Sequence, residues 1–230
     1  MMSQFWDTHC ILSYMVAPLF QDRVYVDDFT ASGFELVIGH AHDIATSLTL
    51  ADYDVDGAPT GSDLRRVPVP LPAVLSAELD GAAAHLGVLD GKILLAALGR
   101  TVARTIGSGV VAVDVDSHII ALDCVMPSEL DATQLLAHVC SALAGSTVRQ
   151  PGQTLAELAF RCAGPVSAGE PLEGHLLELR AYRSNGVVQL DLWFDARRFD
   201  AYTVEELAEQ FPQALIEITS EAIPGFTEAA

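Results

Sequence analysis

The 230-residue sequence predicts an α/β protein in which a mixed β-sheet packs against helices. Half of the residues are hydrophobic, which is enough to build a sizeable core. Segments with the period of amphipathic helices alternate with short runs rich in valine, leucine and isoleucine, which are typical of strands. Near the C-terminus two such runs are joined by Ser184-Asn185-Gly186, a sequence typical of a tight hairpin turn.

The chain is predicted to have two parts, an N-terminal segment over residues 1–60 and a main domain over residues 61–230. Within the N-terminal segment, residues 23–29 and 34–40 have the pattern of two strands joined at a turn. Residues 51–63 are rich in Asp, Gly and Pro, so they are predicted to form a loop that separates the two parts.

The main domain has the clearer pattern, and it begins with a short strand that ends at prolines. Helices are predicted over 71–86, 92–106, 130–143 and 154–160, and strands over 110–115, 119–125, 175–183 and 187–194. The second helix is apolar nearly all round and is expected to be buried. The last helix is expected to open with the capping-box pair Thr203 and Glu206, and to be kinked at Pro212.

The charge of the sequence narrows the range of partners. The formal net charge is −19, which would repel a phosphate backbone, so a nucleic-acid partner is not expected. It would also repel another acidic protein, except at a local basic patch such as Arg65–Arg66 or Arg197–Arg198. No run of eighteen apolar residues predicts a membrane span, and four widely spaced cysteines without zinc spacing favour a reducing cytoplasm.

Four stretches in the main domain occur in the order and spacing of a known family. They are residues 82–107, 110–118, 162–179 and 185–211. Together they resemble the C-terminal lobe of the condensation and epimerisation domains of nonribosomal peptide synthetases, within the chloramphenicol-acetyltransferase-like superfamily. The resemblance implies a chloramphenicol-acetyltransferase-like lobe, with the usual first lobe missing or reduced to a remnant in residues 1–60.

The resemblance also implies a site between two lobes, with the catalytic His-His-x-x-x-Asp-Gly motif in the first lobe. The corresponding junction of the second lobe reads Phe-Asp-Ala-Arg-Arg-Phe-Asp-Ala in this sequence, and Ala196 stands where the motif has its histidine. Alanine cannot accept a proton. We therefore interpret Asp195 and Asp200 as partners of Arg197 or Arg198 that fix the junction between strand and helix.

Three histidines are candidates for a catalytic base. His40 and His42 follow a predicted strand and stand beside Asp43, and a histidine held by a carboxylate can act as a general base. The resemblance implies that His118 lies in a turn that faces the channel between the lobes. Residues 85–91 match the catalytic motif with one substitution, but they fall between two helices and are not a candidate.

One acidic segment matches the start of a calcium-binding loop. Asp52, Asp54, Asp56 and Gly57 have the spacing of its first six positions. The proline at position 59 and the non-helical flanks do not fit that loop, so we interpret the segment as a solvated linker. Neither a metal nor a bound cofactor is expected.

These observations lead to three hypotheses about function. The first is a non-catalytic binding or recruiting module of a nonribosomal peptide or polyketide pathway, which docks on a carrier protein, a synthetase or a tailoring enzyme. Any phosphopantetheine would then be carried by the partner. The second is a small acyltransferase-superfamily enzyme, a homo-oligomer with its site between subunits. The third is one half of a split condensation domain.

Overall fold

Helices and strands are interspersed along the chain, and most of them lie where the sequence predicts them. The computed structural model describes residues 44–69, 71–162 and 174–224. The chain divides into two units, residues 1–41 and 42–230, and all of the described residues belong to the second unit. The strand pair predicted within the first 60 residues lies outside the described ranges.

A seven-stranded mixed sheet forms the centre of the described part. The strands are β1 (Leu64–Val69), β2 (Gly109–Val115), β3 (His118–Cys124), β4 (Thr147–Val148), β5 (Leu158–Cys162), β6 (Leu177–Ser184) and β7 (Val187–Asp195), and the helices are α1 (Ala73–Leu86), α2 (Asp90–Thr105), α3 (Ala132–Ala144) and α4 (Ala201–Glu221). The spatial order of the strands is β1-β7-β6-β5-β2-β3-β4. Strand β5 is parallel to both β2 and β6, and the other pairs are antiparallel. The predicted mixed sheet with packed helices is confirmed.

Local sequence signals fix several element ends. Helix α1 ends at Gly87, whose φ of 68° is the left-handed conformation that glycine adopts easily. The β6–β7 hairpin turns at Asn185 and Gly186, with φ of 52° and 80°, as a type I′ turn requires. Helix α3 begins with a capping box between Asp131 and Gln134.

The helix predicted over residues 154–160 is wrong, because strand β5 begins within it at Leu158. Leu158 pairs with Val113 of β2 on one side and with Leu177 of β6 on the other. Leu158 and Phe160 belong to the buried core. The spacing of the leucines fits a helix equally well, but pairing with two strands at once decides the conformation.

The last helix begins earlier than the capping box predicts. Asp200 is its N-cap, and the Asp200 carboxylate accepts a hydrogen bond from the backbone N–H of Tyr202 at 3.0 Å. The predicted pair Thr203 and Glu206 therefore lies inside the helix. Helix α4 continues through Pro212 to its end at Glu221.

Replacing Asp200 with alanine is expected to lower the free energy of unfolding by about 1 kcal/mol, because the first turn of α4 loses its cap. Urea unfolding measures the change. The control is Glu209→Ala, at an exposed position of the same helix, where we expect almost no effect. Equal effects of the two substitutions would show that the cap does not matter.

The sheet has one apolar face and one charged face. On the apolar face, alternate strand residues pack with all four helices in a single hydrophobic core. The residues between them face the other way, and several are charged and buried: Asp114, Glu178, Arg180 and Asp191. All three of these carboxylates are ion-paired: Glu178 with Arg180 at 2.7 Å, Asp191 with Arg66 at 2.8 Å, and Asp114 with Arg149. This pairing agrees with the rule that a buried charge needs a partner.

Helix length and composition decide whether a helix could span a membrane. No single helix in the described part of the chain is long and apolar enough to cross one. Helices α1 and α2 meet the requirement only as a pair, across a bend of 110°.

Candidate functional site

The strand-to-helix junction at residues 194–201 is held by ion pairs. Asp195 is fully buried, and Arg197 donates to both oxygens of its carboxylate, at 3.0 Å from Nε and 2.7 Å from Nη2. The Nε atom of Arg198 lies 3.8 Å from the same carboxylate. Burial raises the pKa of Asp195, but the hydrogen bonds from Arg197 outweigh burial and hold that pKa below its ordinary value. Asp195 is therefore an ionised anchor, whereas Asp200 caps α4 instead of pairing with an arginine.

The same junction also binds the acidic loop at residues 52–63 through hydrogen bonds. The Nη2 atom of Arg197 donates to the carbonyl of Gly57 at 3.3 Å, and Arg198 donates to the carbonyl of Val55. We call residues 52–63 and 195–200 together the clasp. Within the described ranges, no group of three or more His, Cys, Asp or Glu residues could hold a metal ion. The hydrogen bonds from Arg197 and Arg198 join the acidic loop to the strand-to-helix junction.

The structure describes one of the three predicted histidines, His118. His40 and His42 lie outside the described residues. His118 is half-buried at the start of β3, opposite Val115 of β2, and its Nδ1 atom lies 3.4 Å from the hydroxyl of Ser117. A catalytic role for these three histidines stays a prediction.

One buried imidazole that is held by a carboxylate was not predicted from the sequence. His175, just before β6, places its Nε2 atom 2.9 Å from the Oδ2 atom of Asp114 on β2. The same carboxylate accepts a hydrogen bond from the backbone N–H of Ala156 at 3.0 Å and another from Arg149. His175 is only 6% exposed, and within the described part its buried Nδ1 atom has no hydrogen-bond partner.

The environment of Asp114 keeps it charged. Burial raises the pKa of Asp114, but hydrogen bonds from His175, Arg149 and Ala156 outweigh burial, so that the pKa lies below its ordinary value of 3.8. The carboxylate joins three separate segments through these bonds. The imidazole of His175 is buried in this arrangement and is not open to a substrate. The contact therefore has a structural role, in which it holds these segments together.

Two adjoining cavities lie at the carboxyl ends of the parallel strands, where open α/β sheets commonly bind ligands. Their volumes are about 260 and 270 Å³, and both are lined by Asp90 and Cys162. Burial and the nearby Asp90 carboxylate raise the pKa of the Cys162 thiol to about 11, although part of the residue is exposed. The thiol is therefore protonated near neutral pH, and it is not an activated nucleophile.

Similarity to known proteins extends over most of the chain. No family model matches it. The chain is 30% identical over 226 residues to a subunit of the phenolphthiocerol/phthiocerol polyketide synthase of Mycobacterium tuberculosis. The match covers 72% of this chain but only 15% of the relative, so the chain spans about one-seventh of that protein.

Solved structures of synthetase domains share the fold. The epimerization domain from the third module of tyrocidine synthetase B superposes with a TM-score of 0.56 at 14% identity, covering 78% of this chain and 52% of that one. The first condensation domain of the CDA synthetase gives a TM-score of 0.52 at 15% identity, covering 78% and 49%. The X-domain in complex with OxyB from teicoplanin biosynthesis gives 0.57 at 16% identity, covering 77% and 50%.

The fold class is thus an α/β lobe with a mixed sheet and helices packed against it. More particularly, the chain has the fold of one lobe of the condensation and epimerisation domains of nonribosomal peptide synthetases, and the resemblance inferred from the sequence is confirmed. The chain spans about half the length of these solved structures.

Proposed function

We propose that this chain is a non-catalytic recruiting module of a nonribosomal peptide or polyketide pathway, which docks on a synthetase, a carrier protein or a tailoring enzyme. The observation that carries the proposal is the junction at residues 194–201. In this second-lobe counterpart of the catalytic motif, Ala196 stands where the motif has a histidine, and the carboxylate of the neighbouring Asp195 is bound by Arg197. The junction is therefore built as a structural contact, and it offers no base of its own.

Two comparisons support the proposal. One structure with this fold is described as a complex of the X-domain with OxyB, which is an association between such a fold and a second protein. The curated relative is part of a polyketide synthase, which agrees with a place in an assembly-line pathway.

One observation favours the alternative, an enzyme with its site at the interface between subunits. The contact between His175 and Asp114 has the form of a carboxylate-held base. The burial of His175 argues against access by a substrate in this conformation. The alternative requires turnover that is lost on replacing His40, His42, His118 or His175, whereas a recruiting module requires binding without turnover.

The test is native mass spectrometry of the full chain with purified proteins encoded beside it: carrier domains with and without phosphopantetheine, synthetase modules and tailoring enzymes. We expect a complex of defined stoichiometry with at least one of them. An unrelated protein of similar net charge is the control for non-specific electrostatic association. Absence of association with every component would contradict the proposal, and histidine-dependent turnover would support the alternative.

A further inference from the structure

Helix α4 presents one exposed face along its length. Residues at successive spacings of three and four line this face, and each of them is exposed: Tyr202, Glu205, Glu209, Gln213 and Ile216. Tyr202 is 70% and Ile216 is 42% exposed. The opposite side of the helix is buried in the core. The exposed face therefore has apolar groups at both ends and carboxylates between them, over about 20 Å.

A second exposed tyrosine lies beside the start of this helix. Tyr53 is 53% exposed, and its backbone N–H donates to the carbonyl of Arg198 at 3.0 Å. The backbone N–H of Asp200 donates to the Asp52 carboxylate at 2.8 Å. The clasp thus brings the segments that carry Tyr53 and Tyr202 together. We call Tyr53 and the exposed side of α4 the tyrosine face.

The backbone at Tyr53 and Tyr202 is held by hydrogen bonds within the chain itself. Tyrosine offers a large contact area with few rotatable bonds and is enriched among the residues that dominate binding energy. A surface whose backbone is already ordered loses less conformational entropy on association. These properties suit a protein-docking surface better than a site for a small molecule.

The charge of the tyrosine face specifies its partner. Helix α4 contains no lysine or arginine, and neither does the acidic loop at residues 52–63. Most arginines in the described part are ion-paired with carboxylates of the chain itself: Arg66, Arg100, Arg104, Arg149, Arg180, Arg183, Arg197 and Arg198. An acidic partner would meet repulsion here, whereas a basic one would meet complementary charge.

We infer that the tyrosine face is the docking surface for a folded partner protein that presents a lysine- and arginine-rich patch. The inference rests on the proposed recruiting function and adds both the surface and the charge of the partner. The two tyrosines and Ile216 supply the apolar contacts, and the Glu205 and Glu209 carboxylates supply the charged rim. A carrier domain with an acidic docking surface is excluded as the occupant of this face.

The experiment places the photo-crosslinking amino acid p-benzoylphenylalanine at position 202. Its matched control carries the same group in place of Val148, which is 55% exposed on β4 at the far edge of the sheet. Each variant is irradiated with the same purified carrier, synthetase and tailoring proteins. We expect crosslinks from position 202 and none from position 148, to a partner whose labelled peptide is rich in lysine and arginine.

Affinity measurements make the inference quantitative. Tyr202→Ala should weaken binding about tenfold or more, and Val148→Ala should leave binding unchanged. The pair Glu205→Gln and Glu209→Gln should weaken binding and reduce its dependence on salt. All of these positions are exposed, so circular dichroism should show an unchanged fold.

The outcomes separate the two proposals. If a complex forms but the Tyr202 and glutamate variants bind the partner as tightly as the unmodified chain, the inference about the tyrosine face is wrong and the recruiting function stands. The same holds if crosslinks form only from position 148. If no pathway protein binds the unmodified chain, both proposals fail.

Discussion

Replacing Asp114 with alanine is expected to lower the free energy of unfolding by about 3 kcal/mol. The substitution removes a buried acceptor from Arg149, His175 and the Ala156 N–H, and it leaves an arginine without its counter-ion. Removing one partner of a buried ion pair lowers the free energy of unfolding much more than removing one partner of an exposed pair. Urea unfolding followed by circular dichroism measures the change.

The chain contains a matched control for this substitution. Asp123, on the neighbouring strand β3, also contacts a histidine, with its Oδ2 atom 2.8 Å from the Nδ1 atom of His138. These two side chains are 33% and 53% exposed, so Asp123→Ala should cost less than about 1 kcal/mol. Similar costs for Asp114→Ala and Asp123→Ala would show that burial does not determine the strength of this contact.

The stabilisation by Asp114 depends on pH in a definite direction. Its pKa in the folded chain is below the ordinary value of 3.8, so the unfolded chain binds the proton more readily. The contribution is therefore fully present above that value and is lost as the pH falls through the lowered pKa. The difference in stability between the natural chain and Asp114→Ala should shrink as the pH falls below about 4. A difference that stays constant over that range would contradict the role of the ionised carboxylate.

Much of the fold is predictable because local signals and periodicity agree. The turn at Asn185 and Gly186 fixes the hairpin, and Gly87 fixes the end of the first helix. Strand β5 is not predictable in this way. Its conformation depends on β2 and β6, which lie far away in sequence, and the spacing of its leucines fits a helix equally well.

The contacts of the candidate site are likewise predictable only where the two partners are close in sequence. The pairing of Asp195 with Arg197 is predictable because the two residues are neighbours in sequence. The contact between Asp114 and His175 joins residues 61 positions apart, and it exists only because the strands assemble in this order. A signal was nevertheless present, because Asp114 interrupts the apolar run Val-Val-Ala-Val-Asp-Val. A charge at such a position indicates a second sheet face with its own buried partners.

The second large effect is expected at Glu217, on the inner side of α4. Its carboxylate lies 2.9 Å from the Nε atom of Arg100 and also binds Arg104. Arg100 is fully buried on α2 and donates to the carbonyls of Val125 and Leu130. Burial lowers the pKa of Arg100, and Glu217 acts in the opposite direction by stabilising the charge. One carboxylate thus neutralises part of the charge of the buried Arg100 and the partly exposed Arg104, and it joins α4 to α2.

Glu217→Gln is expected to lower the free energy of unfolding by about 3 kcal/mol, because Arg100 would stay buried without a counter-ion. Glu209→Gln, at an exposed position of the same helix, should change it by less than about 0.5 kcal/mol. Adding Arg100→Met to Glu217→Leu should recover part of the stability that Glu217→Leu loses alone, because the double variant leaves no unpaired charge at position 100. If the two losses simply add, the stability arises from packing and the ion pair contributes no coupling of its own.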